Sequence, residues 1–189
     1  MKSQRPRREP PSKPPLRRQR SVLIVNTGDG KGKSTAAFGV VLRAVARGWR
    51  VSVVQFVKSD EWKVGEEEAC LRLGVEWSRT GDGFSWLSDD LERSRALAAA
   101  AWDLARETIA AGEHGLVVLD ELTYPINWGW IPIEEVVAAL RRRPERVNVI
   151  VTGRDAPAEL VEAADTVTEM RKVKHAYDQG VRAKRGLDF

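Results

Sequence analysis

The chain has 189 residues, a formal net charge of +4 and a pI near 9.4, and this length suits one compact domain. Residues 1–20 contain eight Lys and Arg and one Glu, a net charge of +7, so the other 169 residues carry a net charge of −3. This negative charge argues against a nucleic-acid-binding surface on the folded part of the chain. The sequence contains neither the ~18–20 apolar residues of a membrane span nor the apolar core of a secretory signal, so we expect no nucleic acid and no membrane as partner.

The first 20 residues differ in composition from the rest of the chain. They contain five of the nine prolines and almost no apolar side chain, as is typical of a segment that is disordered when free. We therefore predict a basic, Pro- and Arg-rich tail at 1–20 and one folded domain at 21–189. The single cysteine, Cys70, cannot form an internal disulfide, and this favours a cytoplasmic location.

The first predicted strand, near 22–26, runs into a glycine-rich loop. Residues 22–35 read VLIVNTGDGKGKST, the order of a strand, a phosphate-binding loop and a helix start. The glycines can turn several backbone N–H groups toward one anion, Lys33 can place an ammonium on the β- and γ-phosphates, and Ser34 can ligate Mg²⁺. A nucleoside triphosphate is therefore the predicted ligand. Its predicted binding residues in the loop are Thr27, Gly28, Asp29, Gly30, Lys31, Gly32, Lys33, Ser34 and Thr35.

The loop departs from the usual pattern Gly-x-x-x-x-Gly-Lys-[Ser/Thr] at one position. The first glycine of that pattern falls on Thr27. Either Thr27 occupies the first position, or the loop that starts at Gly28 is one residue short. A glycine-rich turn that binds nothing is the structural alternative, although its place between a strand and a helix fits the phosphate-binding motif.

Strands and helices alternate along the rest of the chain. Further strands are predicted near 51–56, 75–78, 116–119, 147–151 and 166–169. Helices are predicted near 33–47, 65–72, 89–111, 132–142 and 157–163. This alternation predicts an α/β fold of the P-loop NTPase (RecA-like) kind, with a mostly parallel sheet and helices on both faces.

Two carboxylates follow the predicted strand at 116–119. Its sequence, Leu-Val-Val-Leu, is typical of a central parallel strand. Asp120 and Glu121 therefore lie at the carboxyl end of this strand, where doubly wound sheets bind ligands. We predict that Asp120 helps to hold a metal through its water shell, and that Glu121 ligates the metal or orders a water. With Ser34, these are the predicted metal residues.

Two clusters of aromatic residues lie in predicted loops, at 80–86 (TGDGFSW) and at 124–130 (YPINWGW). Large aromatic side chains at the carboxyl edge of the sheet suggest a broad, flat, partly apolar ligand beside the phosphates. The alternatives are that these side chains cap the core or form a dimer contact.

The chain resembles the ATP:corrinoid adenosyltransferases of cobalamin synthesis (cob(I)yrinic acid a,c-diamide adenosyltransferases) over essentially all of 21–189. The absent first glycine of the loop is a trait of that family. The matching segments are TGDGKGKSTAAFG at 27–39, VVQFVK at 53–58, GFSW at 83–86, VVLDELTY at 117–124, VTGR at 151–154, ADTVTEMR at 164–171 and VKHAYDQGVRAKRGLDF at 173–189.

The resemblance implies transfer of the 5′-deoxyadenosyl group of ATP to the Co(I) of a corrinoid, either cobalamin or cobyrinic acid a,c-diamide, with release of triphosphate. ATP is then a co-substrate that lies reversed along the loop, and the metal is Mg²⁺ or Mn²⁺. The resemblance also implies a homodimer and a flavoprotein or flavodoxin-type reductant.

Residue roles follow from the same resemblance. Phe84 and Trp86 exclude the lower axial ligand from Co(II), which makes reduction to Co(I) accessible to a biological reductant. Together with Lys33 and Ser34, they form the implied catalytic set. Arg154 is implied as a nucleotide contact, and Lys174 and His175 are further phosphate or nucleotide contacts.

Two other functions are consistent with parts of the sequence. The first is a P-loop ATPase or kinase that acts at phosphorus, although no arginine finger, water-ordering Gln or lid is recognisable. The second is a nucleic-acid-binding module that uses the tail, which the negative charge of the other residues disfavours.

Overall fold

The computed structural model describes residues 21–57, 65–80 and 91–187 of the chain. The predicted tail at 1–20 and the aromatic residues Phe84 and Trp86 lie outside these described residues.

Six strands and six helices make up the described chain, followed by one short 3₁₀ helix at Ala176–Gln179. The strands are β1 Leu23–Thr27, β2 Val51–Phe56, β3 Glu76–Thr80, β4 Leu116–Asp120, β5 Asn148–Thr152 and β6 Thr166–Glu169. The helices are α1 Lys33–Val45, α2 Gly65–Arg72, α3 Leu91–Ala111, α4 Thr123–Asn127, α5 Ile133–Arg141 and α6 Ala158–Ala163.

The six strands form one sheet in the order β3-β2-β4-β5-β1-β6, and every pairing in it is parallel. Strand β5 therefore lies between β1, which leads into the glycine-rich loop, and β4, which ends at Asp120. The carboxyl ends of parallel strands share one edge of a sheet, so the loops that follow β1, β4 and β5 meet at that edge. The predicted α/β, P-loop NTPase-like fold is confirmed.

Both faces of the sheet are buried, which explains the nearly continuous apolar runs in the central strands. In β4, Val117 and Leu119 pack in a core with residues of α3, α5 and α6. Leu116 and Val118 point to the other face and pack with residues of α1 and α2. The sheet is thus the middle layer of three.

The predicted strands and helices are confirmed to within about two residues, and one further helix, α4, was not predicted. The sequence predicts a loop over 124–130, but residues Thr123–Asn127 form a short helix. Pro125 is tolerated there because it lies in the first turn, where a backbone N–H has no partner within the helix. None of the helices in the described part of the chain is both long enough and apolar enough to cross a membrane.

Candidate nucleotide site

The glycine-rich loop joins β1 to α1 at the carboxyl edge of the sheet. The turn begins at Gly28, with a φ of 92°, and ends at Gly32, with a φ of 116°, backbone conformations that favour glycine. No side chain caps the N-terminus of α1. The first N–H groups of this 13-residue helix are therefore oriented toward the loop without a capping side chain, as an anion-binding site requires.

Thr27 belongs to β1 and not to the turn. It pairs with Glu169 of β6, and its buried hydroxyl accepts a hydrogen bond from the N–H of Ala156 (3.1 Å). Because the first positive φ falls on Gly28, the structure favours the second alternative, a loop that is one residue short. Thr27 ties the start of that loop to the segment after β5.

The chain that leaves β6 passes directly over the loop. The N–H of Gly30 donates a hydrogen bond to the carbonyl oxygen of Met170 (2.5 Å). The N–H of Met170 donates a hydrogen bond to the carbonyl oxygen of Thr27 (2.8 Å). A Cβ at Gly30 would lie 2.6 Å from the Met170 carbonyl oxygen. The glycine at position 30 is therefore required by this close approach and not by its own φ, which is not positive.

We expect Gly30→Ala to lower the free energy of unfolding by about 1–3 kcal/mol, because the added methyl group overlaps the Met170 backbone. The control is Gly39→Ala in α1, where an added Cβ meets nothing within 4 Å, and which should raise stability by about 0.5–1 kcal/mol. Denaturant unfolding of both variants measures the two effects. Equal stability of Gly30→Ala and the wild type would contradict this account of the loop.

Lys33, the first residue of α1, is buried with 8% of its surface exposed. Its Nζ donates to the carbonyl oxygens of Gly28 (2.7 Å) and Gly30 (2.9 Å). Burial is the largest influence on Lys33 and lowers its pKa, while the nearby carboxylate of Glu121 acts in the opposite direction. The ammonium therefore lies inside the loop in an environment that lacks sufficient negative charge, and a bound triphosphate would supply that charge.

Asp120 is completely buried at the end of β4, and both of its carboxylate oxygens accept hydrogen bonds from side chains. Nε2 of Gln55 in β2 donates to Oδ2 (2.8 Å), and the hydroxyl of Thr152 in β5 donates to Oδ1 (2.7 Å). The Thr152 hydroxyl also accepts a hydrogen bond from the N–H of Glu121 (3.0 Å). The strands on either side of β4 thus hold the predicted metal residue in place.

Gln55 and Thr152 were not among the predicted site residues. One available signal was a polar residue near the end of each of two apolar strands, Val-Val-Gln-Phe at 53–56 and Val-Ile-Val-Thr at 149–152. The signal becomes specific only with the strand order, which places β2 and β5 on the two sides of β4.

Arg154 lies just after β5 and next to the glycine-rich loop. Its Nη1 is 3.6 Å from Oδ1 of Asp29, and both side chains are more than half exposed. The side-chain amide of Asn127 in α4 donates to the carbonyl oxygens of Arg154 (3.4 Å) and Asp155 (3.0 Å). Arg154 is therefore brought to the edge of the loop by a turn that α4 supports.

The other predicted residues differ in their exposure to solvent. Ser34 is half-buried beside Lys33, whereas Lys31 and Thr35 are exposed. Lys174 and His175 lie in an exposed segment, where Nδ1 of His175 accepts a hydrogen bond from the N–H of Tyr177 (3.1 Å). The structure thus assigns His175 a local capping contact, and its role toward phosphate stays a prediction.

The aromatic residues at 124–130 form a stack that begins beside the site. The ring centroids of Tyr124 and Trp128 are 5.6 Å apart, and those of Trp128 and Trp130 are 4.7 Å apart. Burial raises the pKa of Tyr124, and the negative charge of Glu121 acts in the same direction. The rings are tilted against one another by 35° and 55° and are partly exposed, so they offer an apolar but not a flat surface near Glu121.

The described residues thus bring together a glycine-rich loop, a buried ammonium, two carboxylates and an aromatic cluster at one sheet edge. The family model described as ATP:corrinoid adenosyltransferase BtuR/CobO/CobP matches residues 19–189. The chain belongs to this family.

Curated relatives in three bacteria support the assignment of the adenosyltransferase family. The chain is 44% identical to the corrinoid adenosyltransferase of Escherichia coli strain K12 over 171 residues, which are 90% of this chain and 87% of that protein. The corrinoid adenosyltransferase CobA of Salmonella typhimurium gives the same identity and the same coverage. The corrinoid adenosyltransferase of Pseudomonas aeruginosa is 45% identical over 175 residues, 92% of this chain and 86% of that protein.

Proposed function

We propose that this chain transfers the 5′-deoxyadenosyl group of ATP to the Co(I) of a corrinoid, cobalamin or cobyrinic acid a,c-diamide, and releases triphosphate. This reaction belongs to adenosylcobalamin synthesis or salvage. The observation that carries the proposal is the buried Lys33 ammonium, which lies within a glycine-rich loop at the start of α1 in a member of the adenosyltransferase family.

The reaction needs no protein nucleophile. The electron pair of Co(I) forms the bond to C5′ while the C5′–O5′ bond breaks, and the electron pair of that bond stays on O5′ of the triphosphate. Cobalt is thereby oxidised from Co(I) to Co(III), and no proton has to be transferred. The leaving group gains negative charge, so the work of the protein is to orient the two substrates and to stabilise that charge.

Lys33 and the loop are suited to this task. The ammonium already lies against the carbonyl oxygens of Gly28 and Gly30, and its lowered pKa reflects burial that a triphosphate would compensate. The backbone N–H groups at the start of α1 add further donors toward the same charge.

The donor set also fits a divalent cation, Mg²⁺ or Mn²⁺, that is held mainly by the nucleotide. Within residues 21–57, 65–80 and 91–187, no group of three or more His, Cys, Asp or Glu side chains could hold a metal by itself. Mg²⁺ commonly binds through substrate phosphates, waters and one or two protein ligands. Ser34 would ligate the cation, Asp120 would contact its water shell, and Glu121 would ligate it or order a water. When bound, the cation neutralises charge on the triphosphate.

Arg154 is proposed as a further phosphate contact. Its present partner, Asp29, is 3.6 Å away at an exposed position, and such surface ion pairs contribute only ~0–1 kcal/mol. Arg154 could therefore leave Asp29 and bind a phosphate oxygen at little cost in free energy.

The proposal includes three properties that rest on family membership and on the sequence. They are a homodimeric assembly, a flavoprotein or flavodoxin-type reductant that supplies the electron for Co(II) reduction, and a cytoplasmic location. A single buried cysteine, Cys70, is consistent with the last of these, because a reducing compartment needs no disulfide.

One assay tests the proposed reaction. The protein is incubated with ATP, Mg²⁺ and a chemically reduced corrinoid, and a parallel sample lacks the corrinoid. We expect a light-sensitive Co–C product and one equivalent of triphosphate, both absent from the control. Release of ADP or orthophosphate without the Co–C product would instead indicate a reaction at phosphorus and overturn the proposal.

A further inference from the structure

We propose that Gln55 and Thr152 are positioning residues that fix the Asp120 carboxylate in the orientation in which it contacts the water shell of a nucleotide-bound Mg²⁺. This inference rests on the nucleotide-binding part of the proposed function and does not depend on the corrinoid.

The contacts of Asp120 define its orientation from two sides. Oδ2 accepts a hydrogen bond from the side-chain amide of Gln55 (2.8 Å), and Oδ1 accepts one from the hydroxyl of Thr152 (2.7 Å). All three residues are completely buried. Hydrogen bonds to a carboxylate are about twice as strong as those between neutral groups. With one strong donor on each oxygen, the carboxylate is held in one orientation. An ionised carboxylate has about four acceptor sites, so it can still accept a hydrogen bond from a water in the shell of a cation.

The direction of the Thr152 hydrogen bonds is also fixed. The Thr152 hydroxyl oxygen accepts a hydrogen bond from the N–H of Glu121 (3.0 Å). The single hydroxyl proton is therefore free to donate to Oδ1 of Asp120. Glu121 has a φ of 65°, which is uncommon for a residue other than glycine. Thr152 therefore holds both the carboxylate of Asp120 and the backbone at Glu121, where φ is positive.

Gln55 carries a second indication of a functional role. Within the described part of the chain, no donor lies within hydrogen-bonding distance of its buried Oε1. A buried amide that is only half satisfied destabilises the fold relative to an apolar side chain of similar size. Its contribution is therefore better explained by the orientation of Asp120 than by the stability of β2.

The variants that test this role are Thr152→Val and Gln55→Met, which remove the donor and keep a similar volume. Thr152→Ser keeps the hydroxyl and serves as the rescue variant. Thr123→Val is the matched control, because the Thr123 hydroxyl is also buried after β4 but has no hydrogen-bond partner among the described residues.

The measurement is binding of ATP in the presence of Mg²⁺ or of EDTA, by calorimetry and by the shift in Tm, without any corrinoid. We expect Thr152→Val and Gln55→Met to raise the Mg²⁺ concentration needed for tight ATP binding by about 10- to 100-fold, as for other residues that orient a group near a metal. Binding in EDTA should be unchanged, since Lys33 and the loop are intact. Thr152→Ser and Thr123→Val should match the wild type.

Two results would overturn the inference: a wild-type Mg²⁺ requirement in both variants, or an equal loss of ATP affinity with Mg²⁺ and with EDTA. If Thr152→Val or Gln55→Met does not fold, Gln55→Asn, whose shorter amide does not reach Asp120, gives the same comparison. Failure of the adenosyl transfer assay would leave these binding results intact, so the two proposals fail separately.

Discussion

Lys33→Ala is expected to lower turnover by about 10²- to 10³-fold, which corresponds to roughly 3–4 kcal/mol of lost charge stabilisation. The structure places this ammonium inside the loop, within 2.7 and 2.9 Å of the Gly28 and Gly30 carbonyl oxygens. Since the triphosphate gains charge as the C5′–O5′ bond breaks, the loss should fall on kcat as well as on ATP affinity.

The fold should tolerate this change. Burial lowers the pKa of Lys33, so folding disfavours its charged form, and loss of the charge itself should not destabilise the protein. The substitution also removes the two hydrogen bonds of Nζ to the carbonyl oxygens of Gly28 and Gly30, so the Tm is measured beside the turnover. The control is Arg47→Ala, which removes one exposed positive charge just beyond the far end of α1. Wild-type turnover in a folded Lys33→Ala protein would contradict the proposal that Lys33 and its loop bind the triphosphate.

Phe84→Ala and Trp86→Ala are expected to separate two starting states of the cobalt. If these side chains exclude the lower axial ligand, the variants should act on pre-formed Co(I) nearly as the wild type does, because Co(I) requires no ligand removal. With Co(II) and a mild reductant, they should be almost inactive. They should also lack the spectroscopic signature of four-coordinate Co(II) in the presence of ATP.

A purely structural role for Phe84 and Trp86 predicts a different pattern. Truncation would then lower stability by about 3–5 kcal/mol and reduce activity with both cobalt states alike. Trp49→Ala serves as the control for loss of a large aromatic ring, since Trp49 is half exposed just before β2, at the opposite edge of the sheet. Equal losses of activity with Co(I) and with Co(II), or an unchanged signal of four-coordinate Co(II), would indicate that both residues have only a structural role.

The order of the elements and the position of the glycine-rich loop could be predicted because they depend on local patterns. The apolar runs at 116–119 and 149–151 identify buried strands, and Gly-Lys-Ser at 32–34 identifies the loop. Helix α4 was missed because Pro125 and Gly129 resemble loop residues, and because a five-residue helix is too short to show a period.

The support of Asp120 could not be predicted for a different reason. Gln55 and Thr152 are 65 and 32 residues away from it in the chain. Their meeting depends on β4 lying between β2 and β5, and periodicity does not contain the strand order. The contact of Met170 with Gly30 is of the same kind, because it requires β6 to pair with β1.

The position of β1 has a consequence for the growing polypeptide. This strand is made early, yet its neighbours in the sheet are β5 and β6, and the Leu23 N–H bonds the carboxylate of Asp165, 142 residues later. A nascent chain therefore carries Leu23 and Val25, both fully buried in the finished sheet, without their partner strands until β5 and β6 have been made. The glycine-rich loop accordingly remains without its contacts to Met170 until β6, the last of the described strands, has been made.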